Sequence, residues 1–160
     1  SLTHVENQTI LSNVRTFNLS EQLRQCILLL EKEWSAKNIG METVEEEIDC
    51  VGEQDLLKQA WVNLLHNAVK FSPEGGTITV SVSRVKKGLS VSFTNHGPAI
   101  PPEDLGRVFD KFWQGDTSHA SEGTGVGLAV VKRVAELHGG RVSVDSNEAR
   151  TVFTVELPQP

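Results

Sequence analysis

Residues 61–72 carry the side chains whose types and spacing are best suited to chemistry. The carboxamides of Asn63 and Asn67 stand four positions apart, and Lys70 and Phe71 follow within the next turn, which places them along one edge of a helix. Magnesium in proteins combines one or two protein oxygens with substrate phosphates, and an asparagine oxygen can serve without repelling a polyphosphate. On this helix alone, an amphipathic helix with a polar outer face explains the pattern equally well.

A glycine-rich segment at residues 123–129 precedes a second helix. It reads Gly-Thr-Gly-Val-Gly-Leu-Ala and runs into an apolar-periodic stretch from Val130 to His138, which Gly139 and Gly140 are expected to end. Glycines at a helix start let the backbone approach a ligand, and the unpaired N–H groups attract an anion. The spacing matches neither the dinucleotide fingerprint nor the P-loop. A flexible loop remains the alternative for the glycines alone, but together with the asparagine helix they favour a phosphate site.

Four segments resemble, in the same order, the nucleotide-binding boxes of sensor histidine kinases. Residues 63–71 resemble the N box, 95–100 the G1 box, 108–113 the F box and 123–128 the G2 box, and the resemblance covers roughly residues 10–158. It implies the α/β fold of the GHKL superfamily, the Bergerat fold. This fold is a two-layer α/β sandwich with a mixed, mostly antiparallel sheet packed on three helices.

The resemblance implies a role for each matching residue. Asn67 would ligate Mg²⁺, Asn63 would support the metal shell or the γ-phosphate, and Lys70 would neutralise phosphate charge. These are the predicted catalytic residues, although Lys70 could instead be a solvated helix lysine. Phe71 would pack on the purine or ribose unless it has a plain core role, and Asn95 would face the adenine amino group. The predicted ATP-binding residues are Asn63, Asn67, Lys70, Phe71, Asn95, Gly97, Ile100, Lys111, Gly123, Thr124, Gly125, Val126, Gly127 and Leu128.

Residues 111–123 correspond to the ATP lid of the family, and their polar and small side chains favour closure over a nucleotide. Phe109 and Phe112 are predicted to be apolar anchors at the base of this lid. Gln114 and His119 stand where relatives often carry arginine, so we expect weak phosphate clamping from the lid.

The resemblance implies a domain that binds Mg-ATP and donates its γ-phosphoryl group to a histidine on a separate dimerisation domain, with a response regulator downstream. The string His-Glu-x-Arg-Thr-Pro does not occur here, so the phosphoacceptor is expected outside this chain. One alternative is a degenerate nucleotide-binding or docking module, favoured by Asn95, where the G1 box usually has aspartate, and by Ala99. The other is a self-contained GHKL ATPase. Such ATPases place a glutamate four residues before the metal-binding asparagine, and Asn63 stands there instead.

Composition fits a single globular domain. The chain has 160 residues, with 38% hydrophobic and 22% charged residues, and its formal net charge of −6 argues against nucleic acid as a partner. No apolar run approaches the roughly 18 residues of a membrane span, so we expect no membrane contact by this fragment. We expect a cytoplasmic domain of a parent protein that is membrane-anchored. Residues 1–9 are interpreted as the end of an upstream helical segment and residues 10–160 as the catalytic domain.

The cysteines and histidines show no spacing typical of a metal site. Cys26 and Cys50 are isolated thiols without a Cys-x-x-Cys motif, and we interpret them as reduced and structural. The histidines are expected to be solvated or to cap helices.

The helices and strands that must position these residues can be predicted from hydrophobic periodicity and from capping and turn residues. Asn18 or Ser20 is expected to cap the first helix. The predicted elements are a strand at 15–19, a helix to about 38, a strand at 42–48, a helix at 53–72, a hairpin turning at 86–88, a short helix at 101–110, and strands at 141–145 and 151–157.

Overall fold

The helical and alternating patterns of the sequence become two layers of structure. The computed structural model describes residues 10–111, residue 113 and residues 127–160. The elements in chain order are β1 (Val14–Asn18), α1 (Leu19–Leu29), α2 (Glu31–Ala36), β2 (Gly40–Glu42), β3 (Asp49–Glu53), α3 (Gln54–Phe71), β4 (Thr77–Val85), β5 (Gly88–Asn95), a 3-10 turn (Pro102–Asp104), α4 (Gly127–Leu137), β6 (Arg141–Ser146) and β7 (Thr151–Pro158).

The main sheet has five strands in the order β2-β4-β5-β7-β6. Three of its four pairings are antiparallel, and the short β2 runs parallel to β4. Along β5 and β7 buried side chains alternate with more exposed ones, because successive residues of a strand face opposite sides of the sheet. A second sheet pairs β1 with β3. The predicted mixed, mostly antiparallel sheet is confirmed.

The helices α3 and α4 pack on the five-stranded sheet and α1 packs against α3, which forms the helical layer of the predicted sandwich. α3 packs against both other helices and against β5. Trp61 of α3 is fully buried and stacks on Phe93 of β5, with ring centroids 5.9 Å apart. Its indole N–H donates to Gln22 Oε1 of α1 at 2.8 Å, so this buried polar group is satisfied. Burial of such a large side chain contributes on the order of 3 kcal/mol, which fixes the helix that carries the asparagines.

Three predicted elements are wrong. The short helix predicted at 101–110 is reduced to the 3-10 turn Pro102–Asp104. The helix predicted to reach residue 38 is interrupted at Leu30, and the short α2 that follows has no buried residue to hold it on the sheet. The strand predicted at 42–48 ends at Glu42, and the next strand begins at Asp49. The intervening loop is held instead by Ser20, which donates to the Glu46 carbonyl and accepts from Ile48 N–H.

The helix termini follow the sequence signals more closely. Asn18 caps α1, since its side-chain oxygen accepts from Glu21 N–H at 2.9 Å. Gly139 and Gly140 end α4 as predicted, with hydrogen bonds from their N–H groups to the carbonyls of Glu136 and Ala135. The hairpin at 86–88 and the final pair β6–β7 are also confirmed.

His138 links the end of α4 to the beginning of α3. Its Nδ1 lies 2.8 Å from the Val134 carbonyl, and its Nε2 accepts from Glu53 N–H at 3.0 Å. These partners require a neutral ring with the proton on Nδ1. Burial lowers the pKa of His138 below its ordinary value, which favours the same neutral form.

The two cysteines are free thiols inside the core. Burial raises the pKa of Cys26 to about 11 and that of Cys50 to about 12, so both remain protonated near neutral pH. Within the described ranges, no helix is long and apolar enough to cross a bilayer. Residues 1–9 lie outside these ranges, so the boundary placed before residue 10 stays a prediction.

Candidate functional site

One cavity lies where the end of α3 meets the ends of two central strands. Its volume is about 330 Å³, and it opens between α3, the segment after β5 and the start of β7. The lining residues are Asn67, Phe71, Asn95, Pro98, Ala99, Ile100, Pro101, Asp104, Trp113, Thr151 and Phe153. Four sequence-predicted site residues, Asn67, Phe71, Asn95 and Ile100, thus line one cavity.

α3 brings its predicted residues to one side of the cavity. Asn67 and Phe71 line it directly because a spacing of four residues returns to the same face of a helix. Asn63, one turn earlier, donates from Nδ2 to the Gln59 carbonyl at 2.8 Å. A Cβ placed on Gly127 would lie 3.0 Å from Asn63 Oδ1. The asparagine oxygen therefore faces the start of α4, where the predicted phosphate-binding glycines end.

The inner end of the cavity is polar and buried. Asn95 and Thr151 are only 2% and 3% exposed, and they are direct partners across the β5–β7 pairing. Thr151 Oγ1 lies 2.6 Å from Ser146 Oγ, which accepts from Ile100 N–H at 2.9 Å. An amide and a hydroxyl at the end of a buried cleft can satisfy a donor and an acceptor on one edge of a flat heterocycle.

Gly97 allows the segment after β5 to pass close to α3. A Cβ at this position would lie 1.8 Å from the Phe71 carbonyl oxygen, a backbone atom that cannot rotate away. Only glycine fits without moving one of the two chains. The close approach sets the width of the cavity between Phe71 and the G1 segment.

The remaining walls are largely apolar. Ala99, Ile100 and Phe153 form part of this surface, which suits the faces of an aromatic ring. Phe109 packs edge-on against Phe153, with centroids 6.0 Å apart and an interplanar angle of 86°. Phe109 thus packs on the apolar wall, its role at the base of the lid stays a prediction, and Phe112 lies outside the described residues.

The other predicted residues are placed differently. The Lys70 ammonium lies 5.4 Å from the centroid of the Phe71 ring, a cation–π distance, but Lys70 itself does not line the cavity. Lys111 is exposed and does not line the cavity. Leu128 is buried in the core next to Gly127. The predicted residues Gly123, Thr124, Gly125 and Val126 lie outside the described residues.

Sequence reasoning missed several residues that the fold brings to the site. Thr151, Phe153 and Asp104 line the cavity, and Ser146 fixes one of its walls. Thr151 and Phe153 occur in an alternating strand, where nothing local separates a wall residue from a core residue. Only the register that pairs Thr151 with Asn95 reveals its position.

Comparison with known proteins assigns the family. Residues 52–160 match the model described as "Histidine kinase-, DNA gyrase B-, and HSP90-like ATPase". The chain belongs to this ATPase family. A similar relative is the sensor histidine kinase CusS of Escherichia coli O157:H7, which is 32% identical over 160 residues. That match covers 99% of this chain but 33% of CusS, so the chain spans about a third of this relative.

Solved structures place the chain among histidine kinase catalytic domains. The nucleotide-free catalytic domain of the histidine kinase ThkA superposes with a TM-score of 0.82 at 30% identity, covering 92% of this chain and 97% of that one. ThkA in complex with the response regulator protein TrrA gives a TM-score of 0.77 at 27% identity, over 92% of this chain and 42% of that one. These likenesses confirm the predicted fold and the interpretation of the chain as a catalytic domain of this class.

Proposed function

We propose that this domain binds Mg-ATP and donates its γ-phosphoryl group to a histidine on a separate dimerisation domain. The observation that carries the proposal is the convergence of Asn67, Phe71 and Asn95 on one cavity in a chain of this ATPase family. The oxygen of Asn67 suits the metal, the ring of Phe71 suits the face of the adenine ring, and the buried amide of Asn95 suits the polar edge of the base.

Within this proposal, each side chain has a distinct task. Asn95 accepts the adenine amino hydrogen, and Phe71 packs against the base or ribose. Lys70 offsets phosphate charge, and Asn67 supplies an oxygen to Mg²⁺. Mg²⁺ held at Asn67 would neutralise negative charge on the phosphates during transfer. Asn63 supports the metal shell or the γ-phosphate from its position facing Gly127.

Asn63 also argues against a self-contained ATPase. Its amide nitrogen is engaged with the Gln59 carbonyl, and a carboxamide has no basic site to activate water for hydrolysis. We therefore favour phosphoryl transfer to a protein histidine over steady hydrolysis.

The partners and surroundings follow from the same proposal. CusS is named a sensor histidine kinase, and ThkA was solved with a response regulator, which supports a dimerisation domain and a response regulator as partners here. Residues 1–9 would connect to the dimerisation domain and residues 10–160 would form the catalytic domain. The domain would lie on the cytoplasmic side of a membrane-anchored parent, and we expect no nucleic acid among its partners.

Titration of Mg-ATP into the wild-type chain and two variants tests the nucleotide site. We expect Asn67→Ala to weaken Mg²⁺-dependent ATP binding by about tenfold or more while the fold stays intact, because a metal ligand is lost. His66→Ala is the matched control, since His66 is exposed on the neighbouring position of α3. Equal affinity of wild type and Asn67→Ala at saturating Mg²⁺ contradicts the assignment.

Phosphoryl transfer is tested by mixing the chain with a dimeric helical domain that bears an acceptor histidine. Acid-labile label should appear on that domain and not on the isolated chain. Nucleotide binding without transfer to any such domain would favour the degenerate module, the alternative suggested by Asn95 in the G1 box.

A further inference from the structure

The C-terminal end of α3 is capped by the side chain of a lysine from another part of the chain. The last four carbonyls of an α-helix have no partner inside the helix. Here the Ala68 carbonyl accepts from Ser72 N–H at 3.0 Å. The carbonyls of Val69 and Lys70 instead lie 2.7 and 3.4 Å from Lys37 Nζ. A single ammonium group thus serves the two carbonyls of the turn that carries the site residues.

The backbone around Lys37 aims its side chain at this turn. Lys37 follows α2, and its own carbonyl accepts from Gly75 N–H at 2.8 Å in the loop after α3. Asn38 adopts a positive φ of 54° and donates from its side chain to Glu74 Oε1 at 2.9 Å. Gly40 N–H donates to the Gly76 carbonyl at 2.8 Å. The segment that carries Lys37 is therefore fastened to the loop after α3 at the lysine itself and at residues that follow it.

Charge adds to the geometry at this helix end. The C-terminus of a helix carries partial negative charge, and a cation placed there stabilises the last turn. Hydrogen bonds from an ammonium group to carbonyls are stronger than neutral ones. Lys37 is half-buried, which reduces competition from water. The last turn also holds Phe71, which lines the cavity, and Lys70, whose ammonium lies over the Phe71 ring.

We propose that Lys37 is a positioning residue for the nucleotide site, and this inference rests on the proposed function. By holding the carbonyls of Val69 and Lys70, it fixes the last turn of α3 and thereby the places of the Lys70 ammonium and the Phe71 ring. Asn67 lies one turn earlier, where the helix carries its own hydrogen bonds. Loss of Lys37 therefore lowers affinity for the base and phosphates and leaves the Mg²⁺ requirement unchanged.

The test compares Mg-ATP affinity in variants of the 160-residue chain by calorimetry, well below their melting temperatures. Lys37→Met keeps the apolar stem and removes the charge, and we expect affinity to fall about three- to tenfold. Lys37→Arg keeps a cation, so its loss in the logarithm of the Mg-ATP affinity should be at most half of the loss in Lys37→Met. Lys32→Met is the matched control, because Lys32 is exposed on α2, and its affinity should equal that of wild type. Should Lys37→Met fail to fold, Lys37→Gln is measured in the same way.

The outcomes separate this inference from the function on which it rests. If wild type binds Mg-ATP and a folded charge-free variant binds it equally well, Lys37 does not position the site. Equal losses in the methionine and arginine variants also overturn the inference, since they show that the cation is not what matters. If wild type itself does not bind Mg-ATP, the proposed function fails and the inference fails with it.

Discussion

Asn95→Asp probes how the buried end of the cavity recognises a base. The side chain is 2% exposed and lies beside Thr151 across the β5–β7 pairing. The substitution preserves the shape of the amide but replaces it with a carboxylate. We expect opposite effects on the free and the nucleotide-bound protein, because only a nucleotide would bring an amino group to that carboxylate.

The expected magnitudes follow from burial and hydrogen bonding. Without nucleotide, a carboxylate at so buried a position loses hydration, which costs about 1–3 kcal/mol and lowers the melting temperature by about 2–10 °C. With nucleotide, a charge-assisted hydrogen bond replaces a neutral one and is roughly twice as strong. A gain of about 1 kcal/mol corresponds to about fivefold tighter binding of adenine nucleotides.

Thermal unfolding and calorimetric titration with ATP, ADP and GTP measure both effects. ATP and ADP should gain equally because they share the base, and the Mg²⁺ dependence should not change. GTP should gain nothing, since guanine presents an oxygen where adenine presents its amino group. Asn147→Asp is the matched control, because this substitution adds the same charge at an exposed position in the β6–β7 turn. Unchanged adenine affinity in Asn95→Asp, or equal binding of GTP and ATP by wild type, would refute the assigned role of Asn95.

Two further substitutions test the packing and the pH response of the fold. Gly97→Ala should destabilise the domain by about 2–3 kcal/mol or more in chemical denaturation, because its Cβ would lie 1.8 Å from the Phe71 carbonyl. Gly106→Ala, where an added Cβ meets nothing within 4 Å, should be close to neutral, and similar losses in both variants would show that steric contact is not the cause. Burial lowers the pKa of His138 from its ordinary 6.5, so the stability that depends on the neutral ring is present above pH 6.5 and is lost as the pH falls below it. His138→Gln should therefore lose less stability on acidification than wild type or the exposed control His66→Gln, and parallel pH curves would contradict this reasoning.

The asparagine helix shows how far sequence reasoning reaches. The four-residue spacing of Asn63 and Asn67 and the apolar stripe behind them depend only on helical geometry, so the face that meets the cavity was predictable. The hairpin after Val85 was predictable for a similar reason, since alternation and a turn at Lys87, with its positive φ of 66°, are local signals.

Local signals failed where tertiary contacts override them. Residues 42–48 look like a strand, but only Glu42 belongs to one, and the Glu46 carbonyl and the Ile48 N–H bond to the Ser20 side chain. Likewise, nothing near Lys37 in the sequence indicates that its ammonium caps the C-terminus of α3. Its partners, the carbonyls of Val69 and Lys70, are more than 30 positions away.

The sequence by itself determined the class of fold and the residues offered by each element, because periodicity, caps and glycine spacing act within a few positions of the chain. Tertiary structure alone decided which of those residues share a cavity. Thr151 meets Asn95 through strand register, and Gly97 meets the Phe71 carbonyl through packing of a loop on a helix. Both contacts join segments distant in sequence, and they form only when burial of the common core brings the sheet and the helices together.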